Sequence, residues 1–217
     1  MSTMKNNSRV GLFVTVALVA GLSAAGAMMF WPAPAPESRS QAMVGTVLPE
    51  ARALPAVTLT DHDGETWTPA DLAGGWHYLF FGFTHCPDVC PMTLATLAGA
   101  MQQLENEAAD ALPEVVFVTV DPQRDTPATM KNYVSHFHDD FVGITGAPDE
   151  IDRLTDALGI SYALHEPDEN GDYAVDHSAA ILLIDPQGRL RALWQPPHGR
   201  EVLAEEYLRI HDRFPSA

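Results

Sequence analysis

Apolar and polar positions follow different rhythms along this chain, and the changes of rhythm mark its elements. Residues 10–31, VGLFVTVALVAGLSAAGAMMFW, have no rhythm: the run is apolar throughout and carries no charge. Residues 32–44, opening PAPAPESRSQAM, are rich in Pro and Ala and also lack periodicity, as a stiff extended tether does. Globular patterning starts near residue 45. AVTLTDHDGETWT (56–68) alternates on either side of Asp63-Gly64, a hairpin signal. WHYLFFGF (76–83) is a continuous apolar and aromatic run, as a strand buried on both faces requires. Leu94, Leu97, Met101 and Leu104 then recur at helical spacing, with Pro91 in the first turn. EVVFVTVD (114–121) is a second buried strand. TPATMKNYVSHF (126–137) opens on Thr-Pro and predicts a helix, and FVGITG predicts a short strand. PDEIDRLTDALG (148–159) has Pro first, acids in its first turn and Gly last, the punctuation of a helix. AAILLIDPQGRLRALW (179–194) is two strands around Asp185-Pro-Gln-Gly188. GREVLAEEYLRIHDRF (199–214) puts Leu203, Tyr207, Ile210 and Phe214 on one helical face.

Strands alternating with helices, followed by a hairpin and a last helix, predict an α/β domain with a central mixed sheet in the thioredoxin-like order. The front hairpin and a strand–helix inserted in the middle are additions to that order. The expected organisation is therefore residues 1–9, a span at 10–31, a tether at 32–44 and a folded domain at 45–217.

The 10–31 run is long enough to cross a bilayer at about 20 apolar residues per crossing. Lys5 and Arg9 precede it, which places the N-terminus in the cytoplasm and the domain on the far side, anchored by a single pass in an inner membrane and facing a periplasm-like compartment. A cleaved signal peptide is the alternative, with small residues at 25–28. Its apolar core is usually about 7–15 residues, shorter than this run. Both readings export the domain.

Charge narrows the function classes. The chain of 217 residues has a formal net charge of −17. Residues 1–40 carry +2 (Lys5, Arg9 and Arg39 against Glu37), leaving −19 on the rest. Such a surface repels phosphate backbones, which excludes nucleic-acid binding.

The chemistry centres on FFGFTHCPDVCPMTL (80–94), which holds both cysteines of the chain, Cys86 and Cys90. Cys86 falls in the loop leaving the strand and Cys90 at the helix start. A helix N-terminus offers free N–H groups and a partial positive charge, which favour thiolate. The expectation is that both sulfurs point into one small exposed space. Dithiol oxidoreductases of the thioredoxin type separate their cysteines by two residues. Three residues here widen the loop enough for two sulfurs to flank an ion, while a disulfide remains geometrically open. A loop this short adds little chain-entropy stabilisation, so redox or metal use is favoured over a structural bridge.

A third ligand would separate metal from redox chemistry. Of nine histidines, two stand out. His85 adjoins Cys86, although successive residues leaving a strand point apart. His177 lies in YAVDHSAAILLID, just before an apolar strand, in the loop that a thioredoxin-like fold brings beside the cysteine-bearing helix.

Three blocks in order, GFTHCPDVCPMTL, VTVDPQRDTPATMKNY and YAVDHSAAILLIDPQGRL, resemble the Sco/SenC family of membrane-anchored copper proteins. The likeness covers about residues 45–215 and the N-terminal span. It implies a thioredoxin-like fold with Cys86, Cys90 and His177 as ligands for copper, Cu(I) or Cu(II). It also implies copper delivery to the copper-bearing subunit of cytochrome c oxidase, or reduction of the thiols at that subunit's dinuclear site. An upstream copper donor and a thiol reductant would be further partners. Many family members carry an aromatic residue after the His block, where this chain has Ile181 and Leu182; the expected consequence is confined to packing. Asp88 reads either as a charge that tunes the thiolates or contacts a partner, or as an exposed loop acid. Asp121, Arg124 and Asp125 read either as a charged cluster near the site or as a turn with a helix cap.

A metallochaperone is the first reading. The alternative within the same site is a thiol-disulfide reductase in which Cys86 attacks and Cys90 resolves. A copper or redox sensor is the third.

Overall fold

The computed structural model describes residues 43–108 and 112–215. The span expected at 10–31 and nearly all of the tether lie outside the described residues. Among the described residues no helix is long and apolar enough to cross a membrane.

Eight strands form one mixed sheet in the order β1-β10-β9-β4-β5-β6-β2-β3. The centre is β4 (His77–Gly82), whose six residues are all buried. It runs parallel to β5 (Glu114–Thr119) and antiparallel to β9 (Ile181–Asp185). β5 continues in parallel to β6 (Val142–Thr145). The hairpin β2 (Leu59–Asp61) and β3 (Thr66–Trp67) extends that side, turning at Gly64 with φ +88°. β10 (Arg189–Trp194) and β1 (Thr46–Ala53) extend the other. The continuous apolar run at 76–83 is thus explained: β4 is covered on both faces, and each large apolar side chain it buries contributes roughly 1.5–3 kcal/mol.

Among the described residues, four α-helices flank the sheet. α1 (Val89–Glu107) buries Leu94, Leu97, Met101 and Leu104, the predicted face. It packs against α4 (Arg200–Arg213), and Tyr78 of β4 donates to the Leu203 carbonyl of α4 (2.9 Å). α2 (Pro127–Val134) packs on β6 and is capped by Thr126, whose hydroxyl accepts from Thr129 N. It is shorter than the 126–137 run, because the chain tightens after Val134: Phe137 N reaches the Val134 carbonyl (3.0 Å). α3 (Pro148–Leu158) has the predicted bounds and stops at Gly159, φ +73°, where a side chain would be strained.

Two features escape the sequence pattern. β1 is an edge strand containing Pro49, with no buried residue, so it shows no core-facing rhythm. A separate two-stranded sheet, β7 (Tyr162–Leu164) and β8 (Val175–His177), carries His177 at its end. Ile181 and Leu182 pack into β9 with 0% and 1% exposure, in agreement with a packing consequence.

Candidate metal centre

The site forms where β4 ends and α1 begins. The chain leaves β4 at Gly82, passes the buried ring of Phe83 and enters the 84–88 loop. Asp125 holds that loop. Its carboxylate has no exposed surface and accepts from Thr84 N (3.0 Å), Thr84 Oγ1 (2.5 Å) and Thr119 Oγ1 (2.6 Å). Asp125 therefore ties the cysteine loop to the end of β5.

Cys86 takes over the role of a helix cap. Cys90 N donates to Cys86 Sγ (3.4 Å), while the Asp88 side chain makes no capping hydrogen bond and is exposed. The sulfur sits where helix amides offer hydrogen to an anion.

Cys90 departs from the expected exposed pair. Its residue is 0% exposed, whereas Cys86 is half-buried and lines an open cleft of about 550 Å³. Burial pushes the Cys90 thiol well above its ordinary pKa, with the Cys86 and Asp125 charges adding to that. The helix N-terminus alone favours thiolate, but loss of water outweighs it at Cys90. Gly82 makes the burial possible: a Cβ there would lie 2.7 Å from Cys90 Sγ. Both cysteines are free thiols in this structure.

His177 arrives from 87 residues away in sequence. Its Nε2 lies 3.2 Å from Cys90 Sγ. Its Nδ1–H donates to the Ser178 carbonyl (3.0 Å), which leaves the Nε2 lone pair facing the sulfurs. Phe83 meets the ring edge-on at 5.8 Å and Phe80 at 6.2 Å. Burial holds this imidazole below its usual pKa, which favours the neutral form. The ligand atoms of Cys86, Cys90 and His177 all lie within 4.8 Å of one another. His85 does not join them. Its exposed ring turns toward Thr84 Oγ1 (3.2 Å) and Asp125.

The DPQRD block lies close by and is built into the fold. Asp121 is fully buried and is paired with Arg124 and with the Tyr173 hydroxyl. Arg124 also lies against the Tyr173 ring and donates to the Tyr173 carbonyl. Neither sequence reading of this block anticipates Tyr173. Its place four residues before His177 is a signal that becomes legible only once the hairpin is seen.

Two thiols and one imidazole whose lone pair is already aimed are a donor set for one soft ion. A thioredoxin-like sheet with this three-donor corner is the class the structure defines. The SCO1/SenC family model matches residues 48–211, and the chain belongs to that family. It is 36% identical over 208 residues to the mitochondrial protein SCO2 homolog of Bos taurus, covering 96% of this chain and 77% of that one. Among solved structures, Arabidopsis thaliana ScoI with copper bound superposes with a TM-score of 0.70 at 33% identity, over 74% of this chain and 99% of that one. Bradyrhizobium japonicum ScoI with copper bound gives 0.64 at 36% identity, over 72% and 98%.

Proposed function

We propose that this chain is a copper metallochaperone that holds one copper ion on Cys86, Cys90 and His177 and passes it to the copper-bearing subunit of cytochrome c oxidase. The observation that carries the reading is the convergence of three donor atoms within 4.8 Å, in a family whose solved members include copper-bound forms. Residues 10–31 serve as the single-pass anchor, 32–44 as the tether, and 45–217 as the copper-binding domain on the exported side of the membrane.

The chemistry follows from the donors. Two thiolates and an imidazole suit Cu(I) in three-coordination, and an added weak ligand accommodates Cu(II). Uptake displaces the thiol protons, so affinity falls as pH falls. With both thiols ionised the charges cancel for Cu(II) and leave −1 for Cu(I). Exposure orders the exchange: Cys86 faces the cleft and Cys90 is buried. An acceptor ligand approaches from the cleft, Cys86 yields first, and Cys90 is the last sulfur to leave.

A second reading rests on the same asymmetry. The Cys86 thiolate attacks an acceptor disulfide, forming a mixed disulfide and releasing one acceptor thiolate. Cys90 then displaces the second acceptor sulfur, leaving a Cys86–Cys90 disulfide and two acceptor thiols. An upstream dithiol reductant restores the pair.

The test is copper loading of the full chain and its His177→Ala variant. The wild type should take up one copper per chain with a Cu(II)–thiolate absorption band, and the variant should lose both. Unchanged affinity in the variant would refute the three-ligand site. Disulfide reduction that persists while neither protein holds copper would select the reductase.

A further inference from the structure

We propose that Arg124, Asp121 and Tyr173 form a latch that holds the β7–β8 hairpin, and with it His177, over the cysteine loop. The inference rests on the copper reading in so far as the seated imidazole is a ligand.

His177 stands outside the main sheet. It ends β8, whose strand partner is β7. An isolated two-stranded hairpin is marginal in water, so its position depends on what fastens it to the rest. At its root, Ser178 N donates to the Ser161 carbonyl (2.8 Å) and His198 Nε2 donates to the Ala179 carbonyl (2.7 Å). Val175 of β8 is buried and the Tyr162 hydroxyl of β7 donates to Asp152, so the base of the hairpin is held. The connecting run 165–174 closes on itself through His165 N to the Ala174 carbonyl (2.9 Å) and needs its own attachment to the rest of the domain.

Tyr173 supplies that attachment with three contacts. Its hydroxyl donates to Asp121 Oδ1 (2.5 Å). Its carbonyl accepts from Arg124 Nη1 (3.2 Å). Its ring lies 3.7 Å from the Arg124 guanidinium carbon, within cation–π range. Asp121 lies two residues past the end of β5 and has no exposed surface; one of its oxygens pairs with Arg124 and the other with Tyr173. A buried carboxylate needs both partners, since leaving either oxygen dry and unpaired is costly.

The same guanidinium reaches the imidazole by a second route. It lies 5.8 Å from the centre of the Phe83 ring, and that ring meets His177 at 5.8 Å with an interplanar angle of 88°. Arg124 therefore supports the hairpin backbone through Tyr173 and the His177 ring through Phe83. Both supports start from the end of β5, next to the strand that carries the cysteine loop. The latch residues touch no donor atom of the site, so they are positioning residues and the copper ligands stay as assigned.

The consequence is control over how often the imidazole lifts away. A hydrogen bond to a charged group is worth a factor of roughly 10 to 100 in an equilibrium. Removing the Tyr173 hydroxyl should raise hairpin opening by that factor, and copper that leaves through the opened hairpin should leave faster to match.

The experiment compares the full chain with its Tyr173→Phe, Arg124→Lys and His177→Ala variants in two arms. In the apo arm, amide hydrogen exchange is followed for residues 162–177. Tyr173→Phe should speed it about tenfold to a hundredfold, Arg124→Lys should speed it less because Asp121 keeps a cation, and His177→Ala should speed it less than Tyr173→Phe because the contacts of Tyr173 with Asp121 and Arg124 remain. In the loaded arm, copper is withdrawn by a chromogenic chelator. Tyr173→Phe should release it faster with its two thiols intact and its Cu(II)–thiolate band shifted. A lower melting temperature with unchanged exchange, release and spectrum would show a purely structural contact and overturn the latch. Faster exchange with unchanged release would overturn its role in seating His177. Wild-type protein that takes up no copper removes the copper reading, and the exchange arm still decides the latch.

Discussion

Replacing Gly82 with Ala changes one hydrogen to one methyl group at the end of β4, and the structure says where that methyl goes. It would lie 2.7 Å from Cys90 Sγ and 2.8 Å and 3.2 Å from two carbons of the Phe117 ring. Comfortable contacts are about 3.5–4.0 Å, so the sulfur must retreat by roughly 1 Å or turn to another rotamer. Phe117 cannot give way freely, because it stacks on Phe80 at 5.8 Å in a core where neither ring has exposed surface. Overpacking of this kind costs about 1–3 kcal/mol, which corresponds to a fall of about 2–12 °C in melting temperature for a domain of this size. The effect on copper should be larger than the effect on folding. Metal–ligand distances tolerate only about 0.2 Å of error, so a 1 Å retreat removes Cys90 from the ligand set. Gly143→Ala provides the control. Its Cβ would lie 2.9 Å from Met130 Cβ, a core clash between β6 and α2. Both variants should melt lower, but only Gly82→Ala should lose copper affinity, by tenfold or more in chelator competition. A Gly82→Ala protein that binds copper like the wild type would show that Cys90 is not held as a ligand in this position.

Asp125→Ala leaves two hydroxyls and one amide without their acceptor and should cost about 1–3 kcal/mol in urea unfolding; it should also loosen the 84–88 loop, seen as faster alkylation of Cys86. An unchanged unfolding midpoint would contradict the anchoring role. Burial holds the His77, His177 and His198 rings below the ordinary imidazole pKa. The unfolded chain therefore takes up protons near about pH 6.5 that the native rings refuse. Stability from these groups is fully present above that pH and is lost as pH falls through the native values, so the apo protein should unfold at lower urea at pH 5 than at pH 7. Equal midpoints would contradict the burial argument.

Much of this protein is legible in one dimension because some physical rules are local. A run such as 76–83 can be satisfied only by a strand covered on both faces, and β4 is that strand. Pro148 and Gly159 bracket α3 because proline suits a first turn and glycine the left-handed residue after a last one. The cysteine loop between a buried strand and a helix is equally local, as is the spacing that keeps two sulfurs beside each other. The resemblance, carried by three short blocks, adds His177 to that pair.

Tertiary structure decides what depends on neighbours distant in the chain. β1 has no buried residue and so leaves no apolar signature; it exists because β10 offers it an edge. Cys90 reads as an exposed helix-start thiol, yet it is buried, because Gly82 omits a side chain and Phe117 closes over the gap. Asp121 and Arg124 sit in a block that looks like a turn, and Tyr173 in one that looks like a loop. They meet because β5 and the β7–β8 hairpin end at the same corner. The sequence determines which groups are able to bind a soft ion. The fold decides that one sulfur faces solvent, that the other is dry, and that an imidazole 87 residues away stands 3.2 Å from it. Burial and distance are properties of packed surfaces, and no local pattern encodes them.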